Sequence, residues 1–242
     1  MKKSRIEKDS WLLTRPIAHR GLYDDNSPEN SRAAYEKAIE KNIPIEMDVQ
    51  LTKDLIPVCF HDDNISRMTG VDSLIWDMTY EELSKVRLGG TDEKIMTFAE
   101  FLTFVNGRTP VLIEVKSQRV KKTVADKMIP LLENYRGEFA VQSFDPLIMA
   151  EFAKKKPEWT RGQLVDKDRH KGRIPLLIDF MLWHAMFNVI VHPDFINMNL
   201  RYLPVKRMRK KRPMLCWTVR SEEDLEIARE HADNFIYEKI RI

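Results

Sequence analysis

The chain has little cysteine, no long unbroken apolar run and no dominant sign of charge, and each shortage closes off a class of protein. Its 242 residues include two cysteines, Cys59 and Cys216. Each sits in an apolar, strand-like run, so both read as buried reduced thiols of a cytoplasmic protein, not as a disulfide or a metal-binding pair. Lys and Arg number 40 against 37 Asp and Glu, for a formal net charge of +3. That balance is too even for a dedicated nucleic-acid binder. The basic N-terminus has an apolar run of only Trp11 to Leu13, shorter than a secretory signal requires. The stretch 175–192 is the most membrane-like, yet Asp179, His184 and Asn188 interrupt it. A spanning helix carries few charges over about 20 residues. The stretch therefore reads as a mostly buried helix, and no stable membrane insertion is expected. Linkers rich in Pro, Gly or Ser are also missing. With 43% hydrophobic content, the chain can bury a core as one domain over 1–242, residues 1–15 forming an N-terminal extension.

What is present is alternation. Strand-like runs occur at 16–19, 43–49, 57–60, 110–115, 139–143, 161–165, 194–199, 213–219 and 234–238. Between them, 31–42, 97–107, 119–135 and 221–232 have helical periodicity, and "SEED" at 221–224 reads as a capping box. Repeated β-then-α at this length favours an α/β fold with parallel strands, a single (β/α)8 TIM barrel ahead of an open doubly wound sheet. Nine strands are one too many for eight. The surplus falls at "IEMDVQLTKDLIPVCFHD", 45–62, where Val49 to Pro57 is too short for a helical crossover and predicts a hairpin. A tight turn at Asp54-Leu55 sets Asp48 opposite His61; a turn one residue earlier sets Glu46 there instead.

Either register gathers two carboxylates and an imidazole on one face. Adjacent buried carboxylates repel, at several kcal/mol per unpaired ion. A hard divalent cation relieves this; so does an ordinary ion network with Lys or Arg, and this segment alone does not separate the two. Other strand ends add to the set. "IAHRG" places His19 and Arg20 after a strand, and "PVLIEVKSQ" ends one with Glu114 and Lys116 two residues apart. In a barrel, strand C-terminal ends converge on the active site. His19, Arg20, Glu46, Asp48, His61, Glu114 and Lys116 then offer oxygen ligands, proton carriers and fixed cations for an anionic substrate.

The order HRG, PEN, ExDV with an LTKD turn, then VxxHD, resembles the glycerophosphodiester phosphodiesterase family. Arg67-Met68-Thr69-Gly70, Glu114-Val115-Lys116, "QSFDP" at 142–146 and "CWTVRSEED" at 216–224 agree, and the likeness spans about 17–238. It implies a TIM barrel of the PLC-like phosphodiesterase type and metal-dependent hydrolysis of glycerophosphodiesters to sn-glycerol 3-phosphate and an alcohol. It further implies one divalent cation, Mg²⁺ or Ca²⁺, on Glu46, Asp48 and Glu114. His19 and His61 would be the acid/base pair, and Arg20 and Lys116 would hold the phosphate. Apart from the resemblance, Trp217 at a strand end reads either as a wall for the glycerol part of a substrate or as barrel packing. The expected partner is a small-molecule diester, with no nucleic acid and with a homo-oligomer left open. Two departures stand out. The family's turn usually runs Lys-Asp-Gly, whereas Leu55 follows Asp54 here, which predicts a longer or reshaped turn. The usual Ile-Thr-Asp-x-Pro ending is replaced by "ADNFIYEKI", with Glu238 near the usual acid.

Some features stand outside the motif. The run "KRMRKKR" at 206–212 reads as the solvated face of an outer helix, with a lipid-headgroup or nucleic-acid patch as the alternative. Two rival functions use the same residues: a lysophospholipase D-type or cyclising phosphodiesterase acting on lysophospholipids, and a catalytically silent barrel that binds phosphate esters. The first needs an apolar mouth, for which 175–192 is the only sequence candidate.

Overall fold

The computed structural model describes residues 5–118, 120–166, 188–204 and 212–242. The chain divides into two compact units, 17–139, and 140–242 with the N-terminal segment to Pro16. In the first, β1 (Ile17–His19) runs parallel to β2 (Ile45–Leu51), and β2 parallel to β4 (Val111–Val115). β3 (Pro57–Cys59) pairs antiparallel with β2. Three helices follow the predicted periodicity: α1 (Arg32–Glu40), α2 (Phe98–Val105) and α3 (Lys121–Glu133). Ser31 caps α1, and Thr97 with Glu100 closes a full capping box on α2.

The hairpin corrects both predicted registers. Val49 pairs with Cys59 and Leu51 with Pro57, so neither Asp48 nor Glu46 stands opposite His61. The paired strand ends at Cys59, with one further bond from Phe60 N–H to the Asp48 carbonyl at 3.2 Å. Beyond it the Gln50 side-chain amide donates to the carbonyls of Phe60, His61 and Asp62 at 3.2, 3.0 and 2.9 Å, which holds the following loop against β2. The turn also differs from expectation. Leu55 itself takes the left-handed conformation, φ 62°, so the turn keeps the tight form that a glycine would favour. It is held from several sides. Thr52 N–H donates to the Ile56 carbonyl, Ile56 N–H to Thr52 Oγ1, and Lys53 N–H to the Met78 carbonyl.

Three short segments that periodicity did not reveal, Ser66–Thr69, Ile75–Asp77 and Tyr80–Leu83, lie between β3 and α2. They close a cluster of Val58, Phe60, Ile65, Ile75, Leu83, Leu88 and Ile95.

In the second unit β5 (Phe139–Ser143), β6 (Arg161–Val165), β7 (Phe195–Asn199), β8 (Met214–Val219) and β9 (Asn234–Tyr237) pair in succession, all parallel. α4 (Pro146–Lys155) starts with proline at its first position, capped by Asp145. Gly162 lets β6 approach β7, since a Cβ there would lie 2.2 Å from the Phe195 ring. The segment expected as an N-terminal extension is packed here. Trp11 and Leu12 are buried, and the Asn234 amide donates to the carbonyls of Leu12 and Arg15. Arg5 forks onto Asp194 at 2.9 and 2.8 Å.

The capping box read in "SEED" is only half made. Ser221 accepts from Asp224 N–H at the start of α5 (Glu222–His231). The shorter Asp224 carboxylate, however, reaches the Arg220 N–H instead of the cap's own. The helix read at 175–192 and the basic run at 206–212 lie outside the described residues, save the helical turn Asn188–Val191 and Arg212. Arg212 is buried, not solvated, and donates to the Pro193 carbonyl. No described helix is long and apolar enough to cross a membrane.

With β3 set aside as the hairpin partner of β2, eight parallel strands alternate with helices, a (β/α)8 barrel.

Candidate active site

The charged groups cluster at the ends of β1, β2 and β4, and alternation explains the convergence. Side chains two apart on a strand share a face. Glu46 and Asp48 therefore project together from β2, with Glu114 level with Asp48 across the parallel ladder. One carboxylate oxygen from each of the three lies within 4.8 Å of the others. All three residues are buried.

Two cations stand among them. Lys116 Nζ lies 2.8 Å from Asp48 Oδ1 and 2.6 Å from Glu114 Oε1. Arg20 Nε lies 3.4 Å from Asp48 Oδ2, while its Nη1 donates to Glu29 Oε1 at 2.6 Å. Arg20 is itself left-handed, φ 55°, which turns its backbone N–H onto Glu46 Oε2 at 3.1 Å. Gly21 must follow, because a Cβ there would meet the Ala34 backbone of α1 at 2.8 Å. The HRG run is thus a backbone device as well as a pair of side chains.

Burial drives the electrostatics. It pushes the Glu46 carboxyl well above the usual carboxylate range, and the charges of Asp48 and Glu114 push the same way against Lys116 and Arg20. Burial also opposes ionisation of Asp48, yet Lys116, His61 and Arg20 together hold it well below that range. Lys116 is raised because Asp48 and Glu114 outweigh its desolvation. The three carboxylates share Lys116 and an Arg20 that Glu29 also engages, so the cluster holds more acid than base when all are ionised. The donor set is all oxygen, with Cys59 turned away onto the Thr97 carbonyl, so the site fits a hard cation such as Mg²⁺ or Ca²⁺. The ion network that the sequence left open is therefore present, and its excess of acid also fits the alternative, a hard cation.

The histidines differ in their support. His19 Nε2 lies 4.0 Å from Glu46 Oε2. His61 reaches the site from the loop beyond β3, and its Nδ1 lies 2.5 Å from Asp62 Oδ1. Asp62 is held ionised below the usual carboxylate range, against its burial, by His61 and Arg67. An ionised carboxylate only accepts, so Nδ1 carries the proton and Nε2 is left as the ring's acceptor.

Several residues that organise this site were read only as motif letters, without roles. Arg67 Nε reaches Asp62 Oδ2 at 2.5 Å, and Nη2 and Nη1 fork onto Glu29 at 2.6 and 3.1 Å. Glu29 in turn holds Arg20. Asn30 donates to Asp48 Oδ2 at 2.8 Å and receives the Tyr35 hydroxyl at 2.9 Å. The available signal was position: Glu29 and Asn30 are the EN of "PEN", and Asp62 follows His61 directly. Trp217 belongs to the other unit. Its ring stands edge-on to Phe144 at 5.5 Å, and its buried Nε1 has no hydrogen-bond partner among the described residues. Glu238, at the altered C-terminal motif, pairs with Arg220 at 2.6 Å.

Residues 19–236 match the model of the glycerophosphoryl diester phosphodiesterase family. A glycerophosphodiester phosphodiesterase of Caldanaerobacter subterraneus is 30% identical over 232 residues, covering 89% of each chain. Human glycerophosphodiester phosphodiesterase 1 is 33% identical over 199 residues, covering 72% of this chain and 60% of that one. Among solved structures, a phosphodiesterase of Oleispira antarctica in complex with the product sn-glycerol-3-phosphate superposes with a TM-score of 0.80 at 23% identity, over 93% of both chains. The Thermotoga maritima glycerophosphodiester phosphodiesterase gives 0.70 at 23%, over 92% of this chain and 94% of that one. The structural likenesses carry the barrel fold, and the family match over nearly the whole chain carries the assignment: this chain belongs to the glycerophosphoryl diester phosphodiesterase family.

Proposed function

We propose that the chain is a metal-dependent enzyme that hydrolyses glycerophosphodiesters to sn-glycerol 3-phosphate and an alcohol. The observation that carries this is the buried trio Glu46, Asp48 and Glu114 with its residual negative charge, flanked by Arg20, Lys116 and two histidines. Glu46, Asp48 and Glu114 would hold one Mg²⁺ or Ca²⁺, which when bound supplies charge neutralisation at a phosphate oxygen.

The remaining work falls to the chain's own groups. Lys116 has three donors, two of them directed at Asp48 and Glu114, and presents the third to a phosphate oxygen. Arg20, fixed by Glu29, offers its planar fork to the same group. His61, its ring fixed through Nδ1 by Asp62, accepts a proton at Nε2 from the nucleophile. His19 gives a proton to the leaving oxygen. Each such transfer contributes about 10²–10⁴-fold.

The test is release of sn-glycerol 3-phosphate from glycerophosphocholine, with and without EDTA. Release that stops with chelator and returns with Mg²⁺ or Ca²⁺ supports the reading. Chelator-resistant release removes the metal from it, and no release at all removes the activity. A diester with its vicinal hydroxyl methylated separates the two nucleophiles: slow turnover assigns attack to that hydroxyl, parent-like turnover to water.

A further inference from the structure

The stretch "PENSRAAY" sets Asn30 just ahead of α1 and Tyr35 within its first turn. Tyr35 is fully buried, its ring edge-on to Phe101 at 4.7 Å. A phenylalanine would pack there equally well. What tyrosine adds is a hydroxyl, and a buried hydroxyl is costly unless it is bonded. This one donates to Asn30 Oδ1 at 2.9 Å. Cys59, the other polar group beside it, offers only a weakly accepting sulfur. Burial pushes the phenol well above its usual pKa, so the hydroxyl keeps its proton and remains a donor.

Asn30 is buried and left-handed, φ 54°, a conformation that asparagine tolerates better than most residues. Its backbone N–H donates to the Arg20 carbonyl at 3.0 Å. Its side-chain oxygen accepts twice, from the Tyr35 hydroxyl and from Asp48 N–H at 3.2 Å. An amide whose oxygen is claimed by two donors cannot turn over without setting its NH2 against both. Nδ2 is thereby committed to Asp48 Oδ2 at 2.8 Å. Lys116 Nζ stands 2.8 Å from the other oxygen, so the carboxylate plane is held from both ends. The two supports differ in charge. A dication shared by the three carboxylates repels the ammonium, whereas the neutral amide is indifferent to it. Asn30 is the support that survives loading of the site.

We propose that the Tyr35 hydroxyl is a positioning group for the cation site, locking the Asn30 amide so that Asp48 meets the ion with its carboxylate plane already set. This rests on the metal-dependent reading above and adds to it a residue that acts only through Asn30. The gain is preorganisation: a carboxylate fixed before binding loses less freedom when the ion arrives.

The experiment is calorimetry of Mg²⁺ and Ca²⁺ binding to metal-free protein, in wild type, Tyr35→Phe, Asn30→Gly and the double variant. Asn30→Gly removes the amide while glycine keeps the positive φ, and should weaken binding about 10–100-fold, as lost support behind a ligand does. Tyr35→Phe keeps the ring against Phe101 and should weaken binding about three- to ten-fold, the share of one hydrogen bond. In the Asn30→Gly background the same change should move affinity less than about two-fold, since nothing is left to transmit it. With glycerophosphocholine, saturating cation should restore the turnover of Tyr35→Phe, because a weakened site refills whereas a loosened core does not. Wild-type affinity in Tyr35→Phe overturns the proposal. So does an equal loss in both backgrounds, which would mark Tyr35 as a packing residue. If Asn30→Gly does not fold, the saturation arm decides, and a deficit that cation fails to repair overturns the proposal. Wild-type protein that binds neither cation instead overturns the metal-dependent reading, and this role with it.

Discussion

β2, β4 and the residue just past β4 bury Glu46, Asp48, Glu114 and Lys116, whereas β5, β6 and β7 bury Gln142, Gln163 and Asn197. The strands pair alike in parallel ladders, but the polar cargo differs in kind. The amides satisfy much of their need nearby. Gln163 Nε2 donates to the carbonyls of Ser143, Phe144 and Leu164, and Asn197 Nδ2 donates to Gln142 Oε1 at 2.8 Å. Buried charges cannot be settled so locally, because an unpaired ion in the interior is far more costly than an unpaired amide. The charged strands accordingly recruit partners from distant segments: Arg20 and Glu29 after β1, Asn30 and Tyr35 near α1, and Asp62 and Arg67 after β3. The lesson is that chemistry concentrates where charge forces the fold to build a network.

The largest test of the contrast is to neutralise it. Glu46→Gln should lower kcat at least about 10³-fold, several kcal/mol of lost stabilisation at the phosphate, and weaken Mg²⁺ or Ca²⁺ binding by calorimetry; unchanged affinity would count against Glu46 as a ligand. His19→Ala and His61→Ala should each cost about 10²–10⁴ in kcat, and the double variant little more than one of them, as groups acting together are non-additive.

The same glutamate gives a pH signature. In metal-free protein the unfolded chain ionises Glu46 from about pH 4.3 upward, while the folded chain holds it protonated to a higher pH. Its contribution is therefore lost progressively as pH rises from there toward the folded value. Asp48, Glu29 and Asp62 act in the opposite sense and in a lower window: their stabilisation is present above about pH 4 and disappears in acid. Urea midpoints of apo protein should be lower at pH 8 than at pH 5.5. Glu46→Gln, or saturation with the cation, should remove that difference.

The converse substitution puts charge where none is provided for. Asn197→Asp leaves a buried carboxylate whose described neighbour is the Gln142 amide, not a cation. It should destabilise by about 3–5 kcal/mol at neutral pH, measured in urea. An Asn197→Asp variant as stable as wild type would erase the distinction between the two strand sets.

Smaller effects probe the network's outer members. Arg67→Ala should reduce kcat about 10–100-fold, as lost support behind a working group does, with KM changed less. Arg67→Lys should recover part of it, since one ammonium can reach only some of the contacts that the fork makes to Asp62 and Glu29. Smallest is the turn: Leu55→Gly should raise stability by about 1 kcal/mol through relief at positive φ, visible as a higher melting temperature.

Much of this was readable locally. β5 and β6 begin and end where their apolar runs do, and the two-residue spacings of Glu46 with Asp48 and of Glu114 with Lys116 placed each pair on one face, because strand alternation is a property of the chain itself. The family motif, likewise, is a string of residues in order. The register of the β2–β3 hairpin was not readable, since it is set by where the turn's hydrogen bonds close, and those involve Met78 and Tyr80 from a distant segment. Nor was the left-handed Leu55, held by the same clamp, nor the burial of Arg212 against Pro193. The chain from His61 through Asp62, Arg67, Glu29 and Arg20 to Asp48 joins the loop after β3, the helical segment Ser66–Thr69, the loop after β1 and β2. Sequence named its members and their charges; which carboxylate each cation faces was decided by tertiary structure alone, because ion pairing depends on distance in space and burial, and neither is written in the spacing along the chain.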